Sequence, residues 1–449
     1  MKVMPYEKYK PANAGWLSAL PEAWDQIRGR FVMAVNPPPR RARTLDDTDE
    51  VSFVPMEAVG EYGGLDLERT KPLDEIGAGY TAFEDGDVVI AKITPCFENG
   101  KGAIASGLKN GVGFGTTELH VLRTGKHLDK QFLFYLTISH SFRMLGESEM
   151  YGAGGQKRVP PEFAKDFRIP LPPLDEQQTI ARFLDTKTAQ IDALVAQKRQ
   201  LIDKLREKRQ ALIARTVTRG LPPEAAKAVG LEPNPEMKDS GVDWLGAVPA
   251  RWKIKAIKWA TPVQRGASPR PIDDPSYFDD DGEYAWVRIS DVTAAGMYLD
   301  ATEQRLSDLG SSLSVKMQPG SLFLSIAGTV GKPCIANIKC CIHDGFVYFP
   351  RWKGDSRFLF YVFASGEPYK GLGKMGTQLN LNTDTVGSIV IGIPDAAEQR
   401  LIADYLDRTT AELDSMTTAV EAAIDRLVEY RQAVITSAVT GKIDVRELA

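Results

Sequence analysis

The stretch EQQTIARFLD, residues 176–185, returns 222 positions later as EQRLIADYLD, residues 398–407. Between 176–218 and 398–440, 19 of 43 positions are identical without a gap. Agreement of this kind at a fixed offset is the signature of an internal repeat. We infer that the chain arose by duplication.

The repeat extends outward from these two segments. Residues 15–24, with Trp16 and Trp24, return at 243–252 with Trp244 and Trp252. The run FLFY at 132–135 returns at 358–361, whereas the sequences between these anchors share little. Repeated anchor segments with divergent sequences between them are expected when the two halves of a chain share a scaffold but recognise different targets.

Both repeated segments predict long helices whose apolar residues follow heptads. In the first helix we place 187, 194 and 201 on one heptad position and 184, 191 and 205 on the other. Five heptads with this spacing favour a coiled coil over a surface helix, and about 40 residues at 1.5 Å each span on the order of 60 Å. The residues assigned to helix pairing are Leu184, Ile191, Leu194, Leu201, Leu205, Leu212, Leu406, Leu413, Met416, Val420, Leu427 and Val434.

Capping signals bound the two predicted helices. Asp175 and Asp395 are suited to cap the starts. Gly220 and Gly441 are suited to end them. The helices therefore begin near 175 and 395 and end near 219 and 440.

The segments outside the helices are rich in Gly, Pro and aromatic residues, with short apolar runs between turn residues. Such runs predict strands of mixed α/β bodies. The predicted fold class is α+β: two mixed α/β bodies related by duplication and separated by two long helices. The predicted boundaries are 1–160 for the first body, 161–220 for the central helical region, 221–385 for a linker and the second body, and 386–449 for the C-terminal helical region.

Composition excludes several classes of protein. The 449 residues contain no apolar run of membrane-spanning length, and the polar start predicts no secretory signal. Four cysteines without a C-x-x-C pair, and four scattered histidines, predict neither a disulfide framework nor a metal site. Cys340 and Cys341 are interpreted as strand residues. A cytoplasmic protein is expected.

Net charge is −4, which gives weak evidence against a nucleic-acid partner, but one basic face is sufficient for binding. Residues 196–219 carry eight basic side chains against two acidic ones. This run has two interpretations that the sequence leaves open, a solvated helix face or part of a positive field toward DNA.

Several motifs, in their order along the chain, carry a resemblance to a known family. They are the GWL segment at 15–17, KITPCFENGK at 92–101, GFGTTE at 113–118, GASP at 266–269 with WVRISDV at 286–292, and the two P-x₃-EQ helix starts. Together with the duplication, they resemble the specificity subunits of type I restriction–modification systems over nearly the whole chain.

This resemblance implies a function and a set of partners. Each body would be a target recognition domain for one half of a bipartite, asymmetric site in double-stranded DNA. The helices would pair antiparallel, fix the half-site distance and dock two methylation subunits, and two motor–nuclease subunits would complete a restriction enzyme. S-adenosylmethionine, ATP and Mg²⁺ are expected on those partners only. The chain itself would be non-catalytic, with no catalytic residues.

The candidate DNA contacts are basic or amide side chains in loops, because arginine and lysine suit guanine and phosphate whereas amides suit adenine. Turn residues that only satisfy their own backbone remain an equal alternative for the amide loops. The candidates are Arg40, Arg41, Arg43, Gln156, Lys157, Arg158, Arg265, Arg270, Gln378, Asn380 and Asn382.

Two other classes of protein remain as alternatives. A self-contained DNA-modifying enzyme is disfavoured because the Asn-Pro-Pro segment at 36–39 ends in proline, so no aromatic ring stacks on a flipped base. The segment 328–333 lacks the spacing of a phosphate-binding loop. A coiled-coil adaptor that binds only protein is the third class, and a gel shift on duplex DNA distinguishes it.

The Gln378→Ala substitution is expected to relax sequence specificity in one half-site only, since an amide recognises a single base edge. Sequencing of the methylated sites measures this. An equal loss of affinity across all sequences would assign Gln378 a non-specific role.

Overall fold

The structure is a computed structural model that describes residues 4–77, 79–153, 155–370, 372 and 381–448. The chain divides into two compact units. Within the described residues, unit 1 comprises 4–198 and 422–448, and unit 2 comprises 199–421. Each unit therefore contains part of both repeated helical segments, and the four predicted domain boundaries stay a prediction.

The elements of unit 1 come from short apolar runs bounded by turn residues. They are β1 (Tyr9–Ala14), β2 (Leu17–Pro21), β3 (Asp25–Arg28), β4 (Met33–Val35), β5 (Glu50–Val54), β6 (Thr70–Pro72), β7 (Thr81–Glu84), β8 (Val88–Ala91), β9 (Gly102–Ile104), β10 (Val112–Gly115), β11 (Leu119–Thr124), α1 (Lys130–Thr137), α2 (His140–Ser148), α3 (Pro161–Asp166) and β12 (Arg168–Leu171).

The long helix α4 (Leu174–Arg219) follows, and after it come the elements of unit 2. They are α5 (Pro223–Ala228), β13 (Met237–Asp239), β14 (Ala247–Pro249), β15 (Lys253–Ala256), α6 (Ile257–Ala260), β16 (Gln264–Arg265), β17 (Tyr284–Val287), α7 (Ile289–Ala294), β18 (Tyr298–Leu299), β19 (Gln304–Leu306), α8 (Asp308–Ser312), β20 (Val315–Met317), β21 (Leu322–Ser325), β22 (Pro333–Ala336), β23 (Cys340–Ile342), β24 (Phe346–Tyr348), α9 (Ser356–Ala364), α10 (Thr383–Ser388), β25 (Val390–Ile393) and the second long helix, α11 (Ala396–Val439).

The two units share one sheet topology. Unit 1 has a sheet of order β6-β5-β10-β7 and unit 2 a sheet of order β19-β17-β23-β20, each with one parallel pair, β5 with β10 and β17 with β23. The second sheets are β4-β11-β8-β9 and β16-β24-β21-β22-β18, the latter longer by the edge strand β18. The two-stranded sheets β3-β12 and β15-β25 also correspond. The predicted α+β fold with duplicated bodies is confirmed.

Each unit has one apolar core within its body and one against the long helices, and unit 2 has a further small cluster around Trp286. In unit 1, one core lies between the two larger sheets and includes Val54, Phe83 and Val89. The other core joins the body to the long helices and includes Trp24 and Leu184. Unit 2 repeats this arrangement, with one core of sheet residues and another around the buried Trp252. Every body is thus fixed to the helices by apolar packing, which makes it a rigid support for its loops.

The cysteines of unit 2 are strand residues, as predicted. Cys334 lies in β22, and Cys340 and Cys341 form part of β23, all three buried. Burial raises the pKa of the Cys334 thiol to about 12. These thiols are therefore protonated and unreactive at neutral pH.

The ends of the long helices agree with three of the four predicted signals. Gly220 and Gly441 follow α4 and α11 with φ of 80° and 71°, a left-handed conformation that suits glycine. The Asp395 carboxylate accepts from the amide nitrogens of Ala397 and Glu398 at 3.0 and 2.8 Å, and so caps α11. Asp175 is not the cap of α4, because that helix already begins at Leu174.

The heptad register of the helices differs from the prediction at three residues. Leu194, Leu201 and Met416 are 40%, 44% and 54% exposed, whereas the next residues, Val195 and Ile202, are buried. The buried stripe runs through 184, 188, 191, 195 and 202, with 198 half-buried, so the second heptad position lies one residue later than predicted. Leu194–Val195 and Leu201–Ile202 are adjacent apolar pairs, and hydrophobicity alone does not discriminate between the two registers.

The other nine residues assigned to helix pairing lie on the buried stripe. Five are buried, namely Leu184, Ile191, Leu406, Leu413 and Val434. Four are half-buried, namely Leu205, Leu212, Val420 and Leu427. No helix in the described part of the chain is both long and apolar enough to cross a membrane.

The corrected register predicts unequal effects of two neighbouring substitutions. Ile202→Ala is expected to lower the free energy of unfolding by about 2–3 kcal/mol, because it leaves a cavity at a buried position. Leu201→Ala removes the same number of carbon atoms from an exposed position and is expected to cost less than about 1 kcal/mol. Denaturant unfolding of the two variants measures the difference, and equal losses would contradict the register.

Candidate nucleic-acid interface

The start of each long helix anchors the body that precedes it. The Gln177 side chain accepts from the Asp129 amide at 2.8 Å and donates to the Pro172 carbonyl oxygen at 2.9 Å. In unit 2, Gln399 makes the matching contacts to the Asp355 amide and the Pro394 carbonyl, at 3.0 and 2.9 Å. The duplicated Glu-Gln dipeptide therefore contributes buried amides that fix the body to the helix.

A tyrosine of each body reinforces this attachment. The Tyr135 hydroxyl donates to Asp185 at 2.7 Å, and the Tyr361 hydroxyl donates to Asp407 at 2.7 Å. Burial, together with the carboxylate acceptor, raises the pKa of both tyrosines well above the usual value. Both hydroxyls therefore remain protonated donors at neutral pH.

Ion pairs between α4 and α11 occur in both units. In unit 2, Arg209 meets Asp414 at 2.8 Å and Arg206 meets Glu421 at 3.6 Å. Residue numbers rise along one helix as they fall along the other, so the helices pair antiparallel. In unit 1, the pair at the equivalent positions of the repeat joins Arg431 to Asp192 at 3.0 Å. Two arginines of the basic run 196–219 thus face acidic residues of α11.

In unit 1, one carboxylate organises the predicted loop at 156–158. Glu118, directly before β11, accepts from Arg158 in a bidentate pair, with Nε to Oε2 at 2.9 Å and Nη2 to Oε1 at 2.7 Å. Hydrogen bonding from Arg158 lowers the pKa of Glu118. Gln156 and Lys157 are exposed at the tip of the loop. Arg158 therefore anchors the loop, and its two neighbours are presented to solvent.

The end of β4 lies beside this loop. Asn36 has φ of 52°, and its side-chain oxygen accepts from the Val121 amide at 2.9 Å. His120 lies between Asn36 and the loop, with its ring nitrogens 3.2 Å from the Asn36 amide and 2.8 Å from the Val159 carbonyl oxygen. Burial lowers the pKa of His120, which is neutral at physiological pH. Asn36 thus has a structural role here.

The arginine cluster at 40–43 lies near the other end of β11, because Glu84, which holds this segment, also pairs with Arg123 at 3.1 Å. The backbone amides of Arg40 and Arg41 donate to the Glu84 carboxylate, which fixes the segment. The side chains of Arg40, Arg41 and Arg43 are exposed, and within the described residues none of the three forms an ion pair. They are available for an anionic partner.

In unit 2, Asp344 has the position that Glu118 has in unit 1, shortly before β24. It accepts from Arg270 at 3.1 Å and from the Ser268 hydroxyl at 3.0 Å, and its carbonyl oxygen accepts from Arg265. Burial opposes ionisation, but the Ser268 hydroxyl and the two arginines lower the pKa of Asp344. The structure thus brings the predicted Arg265 and Arg270 together around one carboxylate.

A concave surface adjoins this cluster. The cavity, of about 660 Å³, is lined by aromatic and polar side chains, among them Trp286, His343, Arg288 and Gln304. Its rim includes Ser268 and Asp344. Unit 2 therefore presents a mixed apolar and polar depression beside its arginines.

The remaining amide candidates of unit 2 divide into two groups. Asn382 is exposed and caps α10, with its side-chain oxygen accepting from the amides of Asp384 and Thr385 at 2.9 Å each. Among the described residues, its side-chain nitrogen has no hydrogen-bond partner. Gln378 and Asn380 lie outside the described residues.

Neither Glu118, the last residue of the GFGTTE motif, nor Asp344 was among the candidate contacts predicted from the sequence. Both precede a buried strand, Glu118 in the segment TTEL and Asp344 in HDGF. The sequence feature that could have identified them is an acidic residue shortly before a buried strand in both bodies. Its arginine partner is 40 positions away in one unit and 74 in the other, so local patterns do not reveal the pairing.

A sequence model of one family matches the chain at residues 79–204 and 262–426. This family is described as the type I restriction modification DNA specificity domain. The matched residues include the Glu118, Arg158 and Asp344 clusters and cover more than half of the chain. The chain belongs to this family.

Named relatives are specificity subunits of type I restriction enzymes. The EcoEI and EcoAI subunits of Escherichia coli are each 44% identical over 163 residues, which is 36% of this chain and 27% of each subunit. The matched part thus spans about a quarter of these relatives. The MjaVIII subunit of Methanocaldococcus jannaschii is 23% identical, with 98% of both chains covered.

Solved structures share the fold. A chain from a study of assembly and conformational transition of the type I R-M system aligns with a TM-score of 0.69 at 22% identity, covering 94% of this chain and 99% of that one. The HsdS subunit from Thermoanaerobacter tengcongensis aligns with a TM-score of 0.55 at 19% identity, covering 94% and 98%. At these identities the likeness concerns the fold.

The Glu118–Arg158 pair predicts the behaviour of the 156–158 loop. Glu118→Gln removes the charged acceptor and is expected to release the loop, so that trypsin cleaves after Lys157 at least severalfold faster. Because the pKa of Glu118 is lowered in the folded chain, its carboxylate is fully ionised and paired with Arg158 at any pH above the ordinary glutamate pKa. The pair is lost only as pH falls through the lowered value.

Limited proteolysis with mass spectrometry measures the cleavage rate. Glu162→Gln is the matched control, since Glu162 is an exposed glutamate of the same unit whose ion-pair partner among the described residues is Lys165, at 3.3 Å. Equal cleavage rates in the two variants would mean that Arg158 does not anchor the loop.

Proposed function

We propose that this chain is the DNA-recognition subunit of a type I restriction–modification system and recognises a bipartite, asymmetric site. One observation carries the proposal: the same sheet topology occurs twice on a duplicated helical scaffold, with different loops at corresponding positions. Two domains of one architecture but different surface chemistry suit two different half-sites. Membership of the specificity-domain family supports the same conclusion.

Recognition by unit 1 would use the exposed tip of the 156–158 loop. Gln156 offers an amide that can pair with adenine, and Lys157 offers a charge for phosphate or guanine. The exposed Arg40, Arg41 and Arg43 would contact phosphates, which sets register without specifying sequence. Glu118 would keep the loop in one conformation, so that less ordering is needed on binding.

Recognition by unit 2 would use Arg265 and Arg270 around Asp344. A guanidinium held by a carboxylate is pre-oriented, and arginine can bind guanine through two hydrogen bonds. The adjoining cavity offers aromatic and polar groups for base edges or methyl groups. Gln378, Asn380 and Asn382 stay candidates for adenine contacts in this unit.

Chemistry on the DNA would belong to partner subunits. We propose that two methylation subunits supply the S-adenosylmethionine site and that two motor–nuclease subunits supply ATP and Mg²⁺ sites. The Asn36 side chain of the methyltransferase-like segment is engaged with Val121 and His120, which supports a non-catalytic role for this chain. Such a complex would act in the cytoplasm, where the chromosome lies.

Co-expression with the cognate methylation subunit tests the proposal. A host without adenine methylation should acquire methylated adenines at one split sequence when both chains are present. Genome-wide methylation mapping measures the outcome. A complex that binds no duplex DNA would instead favour a coiled-coil adaptor that binds only protein.

Substitutions in the two units are expected to affect different half-sites. Gln156→Ala should relax the specificity of one half-site, and Arg270→Ala that of the other, each by about 1–3 kcal/mol per contacted base. The same methylation mapping, applied to each variant, measures the base frequencies at every position of the site.

A triple Arg40/Arg41/Arg43→Ala variant serves as the comparison. It should weaken binding to all sequences and reduce the salt dependence, because phosphate contacts carry no sequence information. If Gln156→Ala and Arg270→Ala relaxed the same half-site, the assignment of one unit to each half-site would be wrong.

A further inference from the structure

Two large aromatic side chains outside the predicted DNA loops are mostly exposed to solvent. Phe31 is 73% exposed and Trp259 is 74% exposed, the highest fractions among the large hydrophobic residues of the described chain. Single exposed apolar residues are common and need no explanation. These two, however, occur at the same position of the duplicated scaffold.

The equivalence of the two positions follows from the sequence and the fold. Phe31 lies seven residues after the buried Trp24, and Trp259 lies seven residues after the buried Trp252. Each follows the strand that pairs with the last strand before a long helix, β3 with β12 and β15 with β25. The aromatic position thus belongs to the repeated scaffold and not to the divergent loops.

Each aromatic residue lies at the strand end opposite the carboxylate that organises a predicted DNA loop of its unit, Glu118 in unit 1 and Asp344 in unit 2. In unit 1, Phe31 precedes β4, whose Met33 pairs with Thr124 at the far end of β11. Glu118 lies at the other end of β11, about 20 Å away at 3.3–3.4 Å per residue. In unit 2, Trp259 precedes β16, and the neighbouring Thr261 contacts the Arg351 amide beyond the far end of β24. In unit 2 this position favours a protein partner over the DNA itself, and the repeated scaffold extends the argument to Phe31.

Basic residues lie close to both aromatic residues along the chain or across the paired strand. In unit 1, Arg28 and Arg30 directly precede Phe31 and share Asp166, and Arg168 of β12 pairs with Arg28 of β3. Near Trp259 the basic residues are Lys253, Lys255 and Lys258, all exposed, with the Lys258 ammonium 5.7 Å from the Trp259 ring centroid. An apolar anchor with a positive rim complements an apolar socket with an acidic rim.

We propose that Phe31 and Trp259 are the centres of two equivalent docking sites for one acidic protein partner, bound in two copies. The inference rests on the proposed function, in which the partner is the methylation subunit. Because the scaffold repeats the site, one surface of that subunit engages both units in the same way. Buried aromatic anchors of this kind commonly dominate interface energy.

Titration of the full-length chain with the purified cognate methylation subunit, followed by native mass spectrometry, tests the inference. The wild-type chain should bind two copies. Phe31→Ala and Trp259→Ala should each leave one copy bound normally and weaken the second at least tenfold, and the double variant should lose both. Lys258→Glu should weaken the same copy as Trp259→Ala, more strongly at low salt.

Tyr80→Ala is the matched control, since Tyr80 is a 43% exposed aromatic residue without a counterpart in the repeat. Its complex should keep two copies. Two normally bound copies in the double variant would overturn the docking sites and leave the proposed function intact. A wild-type chain that binds no methylation subunit would overturn both. Loss of DNA affinity with unchanged subunit binding would assign the aromatic residues to DNA and refute the proposal.

Discussion

The antiparallel pairing of α4 and α11 is the constraint on which the rest of the structure depends. Each long helix is divided between the two units. Residues up to 198 of α4 and 422–439 of α11 lie in unit 1, whereas the rest of both helices lies in unit 2. The core around Trp24 includes Val434 and Ile435, and the core around Trp252 includes Ile213 and Val217. Each body therefore packs against residues of both helices.

Charge adds specificity to this pairing. The part of α4 in unit 2 is basic, and the part of α11 in the same unit is acidic. Arg209 with Asp414 in unit 2, and Arg431 with Asp192 in unit 1, repeat one contact at equivalent positions. Exposed ion pairs contribute little stability, but opposite charges select the antiparallel register. Within the basic run 196–219, Arg206 and Arg209 thus serve helix pairing.

The sequence predicts the parts of the fold that the duplication preserves. The offset of 222 identifies both helices, and Gln177 and Gln399 indeed make the same buried contacts. Local patterns do not fix the heptad register, because Leu201 and Ile202 are equally apolar. They also miss the parallel pairing of β5 with β10 and the Glu118–Arg158 bridge, which join residues distant in sequence. Such contacts depend on the packed tertiary structure.

The division of the chain has a consequence for its synthesis on the ribosome. Unit 2 is one continuous segment, 199–421, whereas unit 1 needs residues from 422 onward, which are translated after unit 2. The sheet core with Phe83 can form early, because its residues lie close together along the chain. The core around Trp24 must wait for Val434 and Val439. Until these residues emerge from the ribosome, the nascent chain exposes this apolar surface, and this is the period in which it most needs chaperones.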